Sequence, residues 1–187
     1  MTEEEWLTNG ECEAALAAGR TVATDRKLYL LSIACIRLLD RSEEEAANAL
    51  AAFERAADFK HPRLAMINAG EAFSAWFGFQ EGPWRLAEFA LAERWPRWAD
   101  ESNCVPLFRD IFGNPFRPVA FDPEWRTETV VGIARDIYED RAFERVPILA
   151  DAIEEAGCDN ADILSHCREP GVHVRGCWVV DLLLGKS

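Results

Sequence analysis

The sequence predicts an all-α protein, an irregular single-domain bundle of about seven to nine helices covering residues 1–187. Apolar residues recur at helical spacing along most of the chain. Capping boxes mark helix starts, as at Ser42 to Glu45. Residues 178–184 could also form a buried strand, but no partner strand is evident, so we predict a helix there. With 49% apolar and 28% charged residues, the composition is that of a globular protein.

The N-terminal half is predicted to be helical throughout. A capping box, Thr2 to Glu5, opens the first helix, and Gly19 ends a second that begins at Glu11. Residues 25–39 are apolar on almost every face, which is typical of a central buried helix. The wet edges of that helix are predicted at Arg26, Lys27 and Arg37, and three further helices at 42–58, 61–77 and 84–95.

Residues 100–125 differ in character because they contain four prolines, Pro106, Pro115, Pro118 and Pro123. We predict one short helix at 105–112 and then a long ordered loop. Aromatic side chains should hold this segment against the core, since a flexible linker would not carry so many; they are Phe108, Phe112, Phe116, Phe121 and Trp125. The segment is also the best candidate for a subdomain boundary.

Helices are predicted to resume at 128–139 and 143–156. Pro147 must either begin or kink the second of these, and Gly157 should end it. Asn160 is the expected cap of a helix that runs through His166. The last helix is predicted at 174–184, after a turn at 170–171.

Charge and hydropathy restrict the compartment and the partners. No apolar run is long enough for a membrane span, and the acidic N-terminus lacks the features of a secretory signal, so we expect a cytoplasmic protein. A net charge of −13 disfavours direct binding to nucleic acid. The charge confers solubility, or it lets the surface imitate nucleic acid and inhibit a basic partner.

A cluster of Cys and His near the C-terminus is the main candidate site. Zinc prefers four N or S ligands, and the predicted set is Cys158, Cys167, His173 and Cys177, with His166 as a substitute. If the last helix already began at His173, His173 and Cys177 would share one helical face. Two alternatives remain open. The thiols are simply buried while the His side chains bond to backbone, or a Cys/His pair such as Cys177 with His173 is a nucleophile.

Two further groups are candidate interaction residues. Arg168 and Arg175 flank the turn at 170–171 and could bind a small anion, although pairing with acids such as Glu169 and Asp181 is favoured. A surplus of aromatic residues, among them Trp76 and Trp84, could form a groove for a partner protein, or could all be core.

Several motifs are similar to those of a family of bacterial paralogues known only as uncharacterised hypothetical proteins. They occupy residues 2–7, 25–39, 109–118, 142–143, 149–152, 157–158, 166–168 (His-Cys-Arg) and 173–185 (His-Val-Arg-Gly-Cys-Trp-Val-Val-Asp-Leu-Leu-Leu-Gly). The family often carries adjacent Cys and Arg pairs in the helix at 25–39, where this chain reads Ala34-Cys35-Ile36-Arg37. The resemblance implies a helical domain and brings no activity.

The leading functional prediction is a non-enzymatic interaction or regulatory module that binds another protein. The sequence lacks a Gly-rich phosphate loop, a GxSxG motif and an HExxH motif. The alternatives are a zinc-stabilised form of the same module, a small thiol or metal enzyme using the C-terminal cluster, and the nucleic-acid mimic.

Overall fold

The computed structural model describes residues 2–8, 12–19, 21–37, 51, 54–58 and 101–186. These residues contain α-helices and no strand, so the predicted all-α class is confirmed. No helix within these ranges is long and apolar enough to cross a membrane. The predicted helices at 61–77 and 84–95, with Trp76 and Trp84, lie outside the described residues, as does most of the helix at 42–58.

Eight α-helices have described bounds. They are α1 (Glu3–Thr8), α2 (Cys12–Gly19), α3 (Asp25–Arg37), α4 (Glu101–Phe112), α5 (Glu128–Asp140), α6 (Val146–Glu155), α7 (Ala161–Arg168) and α8 (Trp178–Leu184), with 3-10 turns at Pro123–Trp125 and Phe143–Arg145. Residues 54–57 are also helical and end in a turn at Asp58.

Local capping chemistry begins several of these helices, as predicted. The Thr2 hydroxyl accepts from Glu5 N, and Glu5 Oε2 accepts from Thr2 N at 2.7 Å, which completes the capping box of α1. Asn160 Oδ1 accepts from Ile163 N at 3.1 Å and caps α7. Pro147 lies in the first turn of α6, so it begins that helix rather than kinking it.

Two helix starts were predicted wrongly. α4 begins at Glu101 and contains Pro106, which removes only one backbone donor from the helix. α8 begins at Trp178 because Gly176 has a φ of 103° and Cys177 is not helical. His173 and Cys177 therefore lie on a loop, and the predicted pairing on one helical face is wrong.

The ordered loop after α4 is held by fewer aromatic residues than predicted. Trp125 is buried and packs edge-on against Phe121, with their ring centroids 5.8 Å apart. Phe116, in contrast, is 42% exposed and does not hold the loop. Gly113 helps to hold the start of this loop, because its positive φ lets the backbone pass closely over the Trp178 ring.

Buried apolar side chains form two clusters. The first, the N-terminal core, lies on α1 to α4 and comprises Trp6, Ala15, Leu28, Leu31, Ala34, Val105, Leu107, Phe108, Ile111 and Phe112. The second, the C-terminal core, lies on the Pro123–Trp125 turn, on α5 to α8 and on the loops that connect them. It includes Val130, Ile137, Leu149, Ile153, Cys158, Ile163, Cys167, Cys177, Val179 and Leu183. α4 contacts α8, so the two cores adjoin.

The environment of Arg26 differs from the one predicted. It was expected at a wet edge of α3, but it is only 7% exposed. Its guanidinium bonds to both carboxylate oxygens of Asp181, to Asp58 and to the Tyr138 hydroxyl. The first turn of α3 therefore faces polar partners on α5 and α8 rather than solvent.

Candidate metal centre

Four side chains converge between the two cores. Asp110, His166, His173 and Cys177 each offer one ligand atom, and these atoms all lie within 4.8 Å of one another. Asp110 belongs to α4 and His166 to α7. His173 and Cys177 come from the loop that joins α7 to α8. Three separate segments of the chain thus meet at one point.

Backbone geometry brings the loop to α4. Val174 N donates to Asp110 Oδ2 at 2.8 Å, which anchors the loop and leaves Asp110 Oδ1 facing the two His rings. Gly176, with its φ of 103°, then reverses the chain beneath Leu30. A Cβ at residue 176 would lie 2.9 Å from Leu30 Cδ1, so glycine is required there both for conformation and for space.

Three of the distances between ligand atoms are near those of a tetrahedral zinc site, within an overall spread of up to 4.8 Å. Zinc bonds of the usual lengths place two N or O ligands about 3.3 Å apart, and an N and an S ligand about 3.6 Å apart. His166 Nε2 lies 3.2 Å from Asp110 Oδ1 and 3.2 Å from Cys177 Sγ. His173 Nδ1 lies 3.9 Å from Cys177 Sγ. The contact of 2.7 Å between His173 Nδ1 and Asp110 Oδ1 is instead a hydrogen-bond distance.

The rings are held by one another. The His166 and His173 rings pack edge to face with centroids 5.0 Å apart, and the His166 ring lies 5.3 Å from the Trp178 ring. Packing on both sides limits the orientations open to His166. A ligand group restrained in this way needs little reorganisation to bind an ion.

Burial governs the electrostatics of the cluster. Asp110 is 2% exposed and Cys177 is fully buried. Burial by itself favours the neutral acid of Asp110, but the hydrogen bonds with His166 and His173 outweigh it and lower the pKa of the carboxyl. Burial, reinforced by the charge of Asp110, raises the pKa of Cys177 well above its ordinary value. The cluster therefore combines a carboxylate with a protonated thiol.

The cysteine thiols in and near this cluster do not have the properties of a nucleophile. A reactive Cys needs an accessible sulfur and a lowered pKa. Burial raises the pKa of Cys167 to about 12, and it also raises the pKa of Cys177. Cys158, Cys167 and Cys177 are free thiols rather than disulfide partners. Burial and the raised pKa therefore argue against Cys177 as a nucleophile.

The group differs in two members from the set suggested by the sequence. His173 and Cys177 are present, and His166, the predicted substitute, joins them in the group. Cys158 and Cys167 lie in the C-terminal core and outside the group. Asp110 was missed because it lies 63 positions from His173 in the sequence and no local pattern connects the two. Its position among buried residues at helical spacing, beside Phe108 and Ile111, was the available signal.

Arg168 and Arg175, two of the predicted interaction residues, form ion pairs with acidic side chains. Arg168 pairs with Asp151 at 2.9 Å and with Glu154 at 2.5 Å, on α6. Arg175 pairs with Asp58 at 2.9 Å. Neither makes the expected pair with Glu169 or Asp181, since the Asp181 carboxylate accepts from Arg26.

Comparison with protein-family models, with curated proteins and with solved structures finds no match for this chain.

Proposed function

We propose that the protein is a zinc-stabilised, non-enzymatic helical module. One zinc ion bound by Asp110, His166, His173 and Cys177 would clamp the N-terminal core to the C-terminal core. The observation that carries this proposal is the convergence of four ligand atoms within 4.8 Å, from three segments of the chain, in a largely buried setting.

The donor set favours zinc among divalent metals. One thiolate, two imidazoles and one carboxylate are all zinc ligands, whereas magnesium and calcium prefer oxygen ligands alone. Four protein ligands fill a tetrahedron and leave no open position, which is typical of a structural rather than a catalytic zinc site. The Val174 N–H bond to Asp110 Oδ2 is the kind of outer-shell contact that orients a ligating carboxylate.

A clamp at this point would join elements that otherwise pack in separate clusters. Asp110 is adjacent to Ile111 of the N-terminal core, while Cys177 belongs to the C-terminal core. The free energy of zinc binding would then contribute directly to folding, because the unfolded chain does not assemble the site. That such a module binds another protein is still a prediction, made from the net charge and the aromatic content of the sequence.

Metal analysis of untagged protein, purified without chelator, tests the proposal. Elemental analysis with native mass spectrometry should find one zinc per chain. Cys177→Ala and Asp110→Asn should each abolish it. Cys158→Ala is the matched control, because it removes another buried thiol that lies outside the group, and it should retain zinc. Circular dichroism establishes that each variant is folded.

Two outcomes contradict the proposal. Wild-type protein that binds no zinc, even after incubation with zinc salt, excludes the metal centre. Loss of zinc from Cys158→Ala to the same extent as from Cys177→Ala would show that the ligands are not those of the converging group.

A further inference from the structure

A cavity beside α5 shares no lining residue with the candidate metal centre. An open cavity of about 420 Å³ is present between α5, the Arg175 loop and the C-terminal end of α8. It is lined by Asp58, Arg126, Val131, Arg135, Tyr138, Glu139, Arg175, Leu183, Leu184 and Lys186. This size is within the usual range for small-molecule sites.

The cavity is cationic although the protein is acidic. Among the described residues that line the cavity, Arg126, Arg135, Arg175 and Lys186 face two carboxylates, Asp58 and Glu139, which gives an excess of two positive charges. The whole chain has a net charge of −13. A local excess of this sign in such a chain needs an explanation, because the cations repel one another unless an anion lies between them.

Asp58 cannot supply the missing negative charge, because it is already shared. Arg175 Nη2 and Arg26 Nε lie 2.9 Å and 3.0 Å from its carboxylate oxygens, and Lys186 Nζ lies 3.4 Å away. The Tyr138 hydroxyl also donates to it. One carboxylate thus pairs with three cations, and among the described residues only Arg26 has a second carboxylate partner, Asp181.

Two lining residues have donors to spare. Arg175 Nε is buried and has no hydrogen-bond acceptor among the described residues. A buried donor without a partner is uncommon in folded proteins and points to a bound group. Arg135 is exposed, and it makes no ion pair within the described part of the chain. Both side chains can therefore donate to an anion without giving up an existing bond.

The Tyr138 ring holds the cations in place. The Arg175 guanidinium carbon lies 4.2 Å from the ring centroid and Lys186 Nζ lies 4.4 Å from it. These cation–π contacts fix both charges beside the cavity. A positively charged site that is already in position loses little side-chain entropy when an anion binds.

We infer that this cavity binds a small phosphate monoester. A phosphate monoester has close to two negative charges at neutral pH, which matches the excess on the lining. Guanidinium groups donate to phosphate oxygens in pairs. The cavity is much larger than one phosphate, and Val131, Leu183 and Leu184 supply an apolar wall for the organic part of the ligand.

Isothermal titration calorimetry of the full chain at low ionic strength tests this inference, with phenyl phosphate, inorganic phosphate and benzoate as probes. Phenyl phosphate should bind most tightly, because it combines two charges with an apolar body. Arg135→Gln should weaken its binding about tenfold, as expected for loss of one charged hydrogen bond. Arg145→Gln is the matched control, since it removes a half-buried Arg that lies outside the cavity and pairs with Asp136, and it should bind as the wild type does.

Three results would overturn the inference. They are the absence of saturable heat with phenyl phosphate, equal weakening in Arg145→Gln and Arg135→Gln, and tighter binding of benzoate than of phenyl phosphate. Zinc content is measured in the same samples and should be unchanged in Arg135→Gln, which separates this site from the metal centre.

Discussion

Arg26 and Asp181 lie 155 positions apart in the chain and form a buried ion pair with two hydrogen bonds, Nη1 to Oδ2 at 2.6 Å and Nη2 to Oδ1 at 3.0 Å. The pair joins α3 to α8. The proposed zinc clamp joins α4 to α7 and the following loop. Both connect the N-terminal helices to the C-terminal ones through polar groups.

Breaking the ion pair from one side should be costly. Arg26→Met leaves Asp181 buried without its partner, and we expect the free energy of unfolding to fall by about 3–5 kcal/mol. The double variant Arg26→Met/Asp181→Leu should lose less than Arg26→Met alone, because no unpaired charge remains. Urea denaturation of both variants measures the difference, and a double variant as unstable as Arg26→Met, or more so, would contradict it.

An exposed ion pair provides the contrast. Arg117 contacts Glu3 and Asp162, and its side chain is 58% exposed. Solvent screens this interaction, so Arg117→Gln should change the free energy of unfolding by less than about 1 kcal/mol.

Two glycines with positive φ should respond differently to alanine. Gly157 has a φ of 94° and open space around its Cα, so Gly157→Ala should cost about 1 kcal/mol from backbone strain alone. In Gly176→Ala the new Cβ would also lie 3.2 Å from Leu30 Cβ. This clash should lower the free energy of unfolding by about 1–3 kcal/mol more than Gly157→Ala does. The difference in stability between the two variants, measured by thermal unfolding, gives the effect of the clash with Leu30. Equal losses would mean that the loop can move away from Leu30.

Tyr138 should titrate at unusually high pH. Burial raises its pKa to about 12, and the hydrogen bond with Asp58 adds to this, against the opposing charge of Arg26. The chain has two tyrosines, so Tyr29→Phe leaves Tyr138 as the reporter in ultraviolet absorbance. Since the folded-state pKa exceeds the unfolded one, this contribution to stability is complete below about pH 10 and lost as the pH rises toward 12. Titration near pH 10 in the folded variant would contradict the burial of this hydroxyl.

Zinc binding should release about one proton at neutral pH. The raised pKa of Cys177 keeps its thiol protonated before the metal binds, whereas zinc binds the thiolate. Asp110, with its lowered pKa, is already ionised and releases none. Calorimetry in buffers of different ionisation enthalpy counts the protons. An apparent enthalpy that does not depend on the buffer would be inconsistent with Cys177 as a ligand.

Local signals made much of the fold predictable. Thr2 and Asn160 cap helices through bonds to residues three positions away, and Pro147 restricts its own backbone, so sequence alone indicates where these helices begin. The start of α8 was predicted wrongly because the backbone conformation of Gly176 is set by its close packing against Leu30, and local helix propensity does not reveal such a contact.

The site was only partly predictable for the same reason. His173 and Cys177 are close in sequence and were identified together. Asp110 joins them through a contact across 64 positions, from its carboxylate to Val174 N. The burial of Arg26 likewise depends on Asp181, which no local pattern connects to it. Long-range polar pairs of this kind follow from the packing of helices, which one sequence does not specify.

Zinc K-edge X-ray absorption on the zinc-loaded protein is the most direct test of the proposed centre. The geometry predicts one sulfur at about 2.3 Å and three nitrogen or oxygen ligands at about 2.0–2.1 Å. A shell with three sulfurs would instead indicate the cysteine-rich set of Cys158, Cys167 and Cys177 with His173. That result, or a spectrum of hydrated zinc without a sulfur ligand, would contradict the centre formed by Asp110, His166, His173 and Cys177.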